Sequence, residues 1–142
     1  MQPIVVSWEG GVRFTADIRG HTITVDQPRK AGGEDSAPMP IELVPTALAT
    51  CVALSVQQFL VTRGLDATGM SVAVTSLGAP NPNRIGRFDL VVNVPGGVPE
   101  KYRDAMTRVA QSCSVHHTLT HTPEIRVQVS DAAAGSRAGE TA

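Results

Sequence analysis

Two cysteines are the residues of this sequence best suited to chemistry, and their settings differ. Cys51 sits midway along Leu43–Thr62, a run without a charged residue, while Cys113 closes an amphipathic pattern and opens Cys113-Ser114-Val115-His116-His117. Their separation along the chain excludes a local CxxC redox motif or a zinc knuckle, so any joint chemistry must be assembled by the fold. A thiolate can be oxidised to a sulfenic acid, and a second thiol can then close a disulfide with it. Either cysteine alone reads equally as core packing, because free cysteine is among the most buried residue types. The pair together favours redox chemistry. The histidines offer a competing set, since Cys113, His116, His117 and His121 read C-x-x-H-H-x-x-x-H, and His117 and His121 share a face wherever a helix runs through them. Nothing near Cys51 has the spacing of a further ligand, and histidines near a helix end interact favourably with its dipole without any metal. Solvated surface histidines and no metal or other cofactor are therefore expected.

The elements that must position these groups form a chain of 142 residues with Lys plus Arg (12) nearly balancing Asp plus Glu (13). That length suits one folded unit over residues 1–131, with a small polar tail at 132–142 expected to be disordered, and it buries a sizeable core without disulfide staples. Balanced charge with no basic block argues against a nucleic-acid or anionic-membrane surface and for a small-molecule partner. The opening residues Met1-Gln2-Pro3-Ile4-Val5-Val6 show no basic segment followed by an apolar one. A reducing cytoplasm is the resulting expectation, and there two cysteines point to reactivity or packing rather than a structural crosslink. As a helix, Leu43–Thr62 reaches roughly 30 Å, close to a bilayer core. Thr46, Thr50, Ser55, Gln57 and Gln58 interrupt it and no Lys/Arg cluster flanks it, so it reads as a helix enclosed by sheet or by a second subunit, not as a membrane span.

Before this helix, Ile4–Trp8, Arg13–Ile18 and Thr22–Asp26 read as strands joined at Gly10-Gly11 and Arg19-Gly20. A loop over Pro28–Pro40 follows. Pro45 is expected in the first helical turn and Gly64 at the left-handed position that ends the helix. Met70–Leu77 and Arg87–Val94 alternate around Pro80-Asn81-Pro82-Asn83 as a hairpin. Pro99-Glu100 then starts a second helix whose apolar stripe, Tyr102, Ala105, Met106, Val109 and Ala110, extends to Cys113. Glu124–Ser130 alternates once more, with Ile125, Val127 and Val129 expected inward. The order is βββ-α-ββ-α-β, an α+β fold.

Gly32-Gly33 followed by Pro40-Ile41-Glu42-Leu43-Val44-Pro45-Thr46-Ala47-Leu48-Ala49-Thr50-Cys51 resembles the helix start of the OsmC/Ohr family (osmotically inducible and organic hydroperoxide resistance proteins). Ser112-Cys113-Ser114-Val115-His116 resembles the family's second-cysteine motif, and the spacing is most similar to the YhfA-like branch. The resemblance spans roughly Val5 to Val129. It implies an intertwined homodimer whose long helices pack together, and a thiol-dependent peroxidase acting on organic hydroperoxides with an external dithiol as reductant. By position, it implies that Cys51 attacks the peroxide and Cys113 resolves the sulfenic acid as a disulfide. The Ohr branch supports its thiolate with an arginine from the N-terminal strands and a glutamate before the helix. Arg13 resembles that arginine with a one-residue offset, which in a strand exchanges faces. Ile41 occupies the Ohr-type glutamate position and Glu42 the next one. Nine residues before Cys51, at ~100° per residue, Glu42 falls on the opposite side of a regular helix, where it caps backbone or reaches a partner's site. The alternative is a binding protein of the same fold, its thiols inert and its cleft lined by Leu, Val, Ala and Met to suit an apolar or acyl ligand.

Overall fold

The computed structural model describes residues 2–130, and the expected tail at 132–142 lies outside the described residues. Three short strands open the chain, β1 (Val5–Gly10), β2 (Arg13–Ile18) and β3 (His21–Val25), paired antiparallel in sequence order. Their register puts Val6, Ala16 and Ile23 in one row and Trp8, Phe14 and Val25 in the next, so one face of the meander is apolar. The opposite face carries Ser7, Thr15 and Thr24. Val6, Trp8, Phe14 and Ile23 are all exposed, and the substantial packing of this sheet is within itself.

The loop that leaves β3 hangs on one carboxylate. Asp26, only 3% exposed, accepts from the backbone N–H groups of Gln27, Glu34 and Ser36 and from the Ser36 hydroxyl at 2.8, 3.2, 3.0 and 2.7 Å. The Ser36 N–H and hydroxyl, followed by Gln27 N–H, hold the Asp26 carboxyl down at about 2. Gly33 closes this cradle, because a Cβ there would run into the Gln27 carbonyl.

Helix α1 (Pro40–Val61) starts three residues before the charge-free run, and Pro45 consequently lies inside it rather than in its first turn. The reason is Glu42, whose carboxylate accepts the Met39 N–H at 2.8 Å and makes Met39 the N-cap. Pro40 takes the first helical position, where its missing N–H is harmless, and Pro45 then forgoes one interior hydrogen bond. At the other end Gly64 adopts φ 66°, with Gly64 N–H bonding Val61 O and Leu65 N–H bonding Leu60 O. This Schellman closure bears out the expected stop.

Strands β4 (Ser71–Ala79) and β5 (Arg84–Asn93) form the second hairpin, with Val72 opposite Val92 and Val74 opposite Leu90 on the face turned to α1. Helix α2 (Glu100–Ala110) packs its predicted stripe against the same helix. The core is thus built around α1, whose Val56 and Leu60 are fully buried and whose Leu48, Val52 and Phe59 nearly so. By length and composition α1 could cross a membrane, but those five side chains face hairpin and helices.

Two expectations change at the C-terminal end. The second helix does not run to Cys113 but stops at Ala110, and a separate helix α3 (Ser114–Thr120) follows. Glu124–Ser130 forms no strand: Ile125, Val127 and Val129 are 79%, 86% and 92% exposed instead of turned inward. A strand exists only where a neighbour completes its hydrogen-bond ladder, and the described part of this chain offers that segment none. The architecture is nonetheless mixed α+β, with two antiparallel sheets and a long central helix.

Candidate functional site: two thiols between α1 and α3

Cys51 is placed by the middle of α1, one residue from buried Val52 and three from buried Leu48, so its thiol lies at the margin of the core and is half-buried. Cys113 reaches it from the break between α2 and α3. Gln111 and Ser112 close α2 with N–H bonds to Thr107 O and Val109 O, after which Cys113 turns extended (φ −75°, ψ 154°). It then serves as the N-cap of α3, its sulfur accepting the His116 N–H at 3.4 Å and its carbonyl the His117 N–H at 3.0 Å. Cys113 is 5% exposed and belongs to the buried core cluster, as its place on the apolar stripe foretold, although by way of a cap and not a helix end.

The two thiols are both free and near enough for each to influence the other's protonation, and their environments push them in opposite directions. The Val115 N–H favours the Cys51 thiolate most, with Cys113 and Ser114 adding to it against the opposing effect of burial, so the Cys51 thiol is lowered from its ordinary range. Burial, reinforced by the neighbouring Cys51 thiolate, raises that of Cys113. The arrangement therefore makes the two thiols unequal, Cys51 the more readily ionised and Cys113 the less. Ser114 is the residue that sequence reasoning missed. Its Oγ lies 3.7 Å from Cys51 Sγ, and the signal was only its place next to Cys113.

Arg13 and Glu42 are not brought to this pair within the chain. Arg13 stands on β2 and donates to Ser36 Oγ at 3.2 Å, while Glu42 is occupied at the α1 N-cap. Of the histidines, His117 and His121 are exposed at the end of α3, where the His121 ring lies 3.2 Å from the His117 carbonyl. Among the described residues no three His, Cys, Asp or Glu side chains converge as metal ligands.

A groove of about 890 Å³ opens beside the thiols between α1, β5, α2 and α3. Leu48, Val52, Phe88, Leu90, Met106 and Leu119 make its wall mostly apolar. His116 also lines it, with a buried Nδ1 that has no hydrogen-bond partner among the described residues, whereas neither cysteine does.

Comparison with known proteins gives one family and one fold. A family model described as OsmC-like protein matches residues 33–128, more than half of the chain. Among solved structures, a Psychrobacter arcticus 273-4 protein named for osmotic stress induction and a detoxification response superposes with a TM-score of 0.76 at 22% identity, over 83% of this chain and 88% of that one. An OsmC-like protein from Mycoplasma pneumoniae gives 0.66 at 17%, over 84% and 86%. An organic hydroperoxide resistance protein from Elizabethkingia anophelis, with thiocyanate bound, gives 0.59 at 19%, over 86% and 91%. At these identities the likeness is one of fold. No curated protein sequence matches the chain.

Proposed function

The chain belongs to the OsmC-like protein family, and from that premise we propose that it is a thiol-dependent peroxidase that reduces organic hydroperoxides. The observation that carries this reading is the meeting of Cys51 and Cys113, one thiol lowered and the other raised. Cys51 thiolate attacks the terminal oxygen of ROOH: the S–O bond forms, the O–O bond breaks, and the alkoxide leaves with its electron pair and takes a proton from water. Cys51 becomes a sulfenic acid. Cys113 sulfur then attacks Cys51 sulfur, the S–S bond forms and the S–O bond breaks, and the departing hydroxide leaves as water with the proton of the Cys113 thiol. An external dithiol reduces the disulfide through a mixed disulfide. The name of the Elizabethkingia neighbour supports the substrate class, and the mostly apolar groove suits an alkyl chain.

The working form in this reading is a homodimer in the cytoplasm. The meander presents an exposed apolar face, and Ile125, Val127 and Val129 are exposed on a segment that pairs with no strand among the described residues, a combination that a second copy would cover. Such a copy is also what Arg13 requires to reach a thiolate, since its own sheet does not pack on α1 to any substantial extent. A monodisperse monomer at micromolar concentration in solution would overturn the dimer.

One observation favours a second reading, a non-catalytic protein that binds an apolar or acyl ligand: neither sulfur is part of the groove wall. The deciding experiment follows cumene hydroperoxide in the presence of a dithiol. Wild type should consume it catalytically, Cys51→Ser should not, and Cys113→Ser should complete one stoichiometric turnover and leave Cys51 open to overoxidation. If wild type consumes none with any dithiol, the binding protein is the better account.

A further inference from the structure

A thiolate in the middle of a helix gains little from the helix dipole, so its charge must be met by donors arriving from elsewhere. In the described chain neither a guanidinium nor a carboxylate hydrogen-bonds to Cys51. The side-chain hydrogen-bond partner of its sulfur is the Ser114 hydroxyl, with the Cys113 thiol close by. Cys113 is an unsuitable permanent donor, because its proton departs when it attacks the sulfenic acid. Ser114 keeps its proton throughout the cycle.

The local structure holds Ser114 in place. Cys113 caps α3, which fixes the backbone where Ser114 starts the helix, and Thr118 Oγ1 donates to the Ser114 carbonyl at 2.8 Å. The Ser114 hydroxyl itself has no hydrogen-bond partner among the described residues other than Cys51 Sγ, at 3.7 Å. A serine hydroxyl has one proton and two lone pairs. While Cys51 is a thiol, either group can donate. Once it is a thiolate it can only accept, so the bond must run from Ser114 and becomes charge-assisted. As a sulfenic acid, Cys51 can donate its S–OH proton to the same serine oxygen, which keeps that hydroxyl partnered until resolution.

We propose that Ser114 is a further residue of the Cys51 site, the side chain of the same protomer that holds the nucleophile by donating its hydroxyl to the thiolate, whatever a second copy adds. Its role as a catalytic residue rests on the peroxidase reading; its bond to the thiolate does not, and the test separates the two. Reduced full-length protein is alkylated with iodoacetamide across a pH series, and modification of the Cys51 peptide is quantified by mass spectrometry. Ser114→Ala should move the Cys51 profile to higher pH and slow its alkylation at neutral pH about tenfold, the scale of a lost hydrogen bond to a charged group. Ser114→Thr, which keeps the hydroxyl, should restore most of the rate. If Ser114→Ala changes the far-UV spectrum, Ser114→Thr against Ser114→Val makes the same comparison between near-isosteric side chains differing in the hydroxyl. Profiles that superimpose with and without the hydroxyl overturn the proposal. A wild type that consumes no hydroperoxide while the profiles still separate overturns the peroxidase reading and leaves the Ser114 bond standing.

Discussion

The two ends of the chain solve the problem of burial differently. From α1 to α3, apolar stripes converge on one helix and produce a core in which Val56 and Leu60 have no exposure at all. The meander has an equally regular apolar face, yet it is held by backbone ladders and the Asp26 cradle while Trp8 remains 68% exposed. Periodicity marks a surface as fit for burial and does not say which molecule buries it. The first region satisfies its pattern from within; the second is expected to satisfy it from a second copy, and the C-terminal segment shares that condition.

The sharpest way to break this comparison is to open a cavity in the self-sufficient half. Leu60→Ala should cost about 2–5 kcal/mol in chemical denaturation, because a fully buried side chain leaves both lost transfer energy and a void. The same class of change on the meander should act on assembly instead. Trp8→Lys should weaken self-association by about thirtyfold or more, the scale of an interface anchor losing 2 kcal/mol, read by sedimentation, while the α1–α3 half stays folded by circular dichroism. A monomeric variant that unfolds outright would show that α1 depends on the second copy as well.

Acid sharpens the comparison from the other side. Asp26 has a folded value of about 2 against an ordinary 3.8, so its contribution is fully present above about 3.8 and is lost as the pH falls through about 2. The N-terminal half should loosen over that window before the helical half does, visible as amide exchange appearing first in residues 26–38. Asp26→Asn should abolish that order and lower the melting temperature by several degrees even at neutral pH, since an amide cannot accept all four donors with a charged oxygen. The smallest effect is expected from His117→Ala with His121→Ala. Both are exposed at the end of α3, and stability should change by less than about 0.5 kcal/mol in denaturant titration.

Much of the fold was legible because its signals are local. Alternation announced both sheets, Gly64 announced the end of α1, and the spacing from Tyr102 to Ala110 announced α2. Pro45 misled because the hydrogen bond it forgoes and the crowding of its ring against the preceding turn are offset by the Glu42 cap and the core packing of α1. The break before α3 was hidden by periodicity itself, since Cys113 lies on the stripe whether or not the helix continues. Ile125, Val127 and Val129 carried a true strand pattern, but a strand also needs a neighbour, and alternation contains no information about one.

For the site, residue types and neighbourhoods in the sequence determined that Cys51 would sit on an apolar helix and that Cys113 would be buried. Cysteine chemistry determined what the two could do if they met. Only the tertiary structure decided that they do meet, that the Val115 N–H and the Ser114 hydroxyl face Cys51, and that Arg13 and Glu42 are engaged elsewhere. The physical reason is that a thiol's reactivity depends on which donors and charges lie within a few ångströms of its sulfur. Those distances are set by packing between segments far apart in the chain.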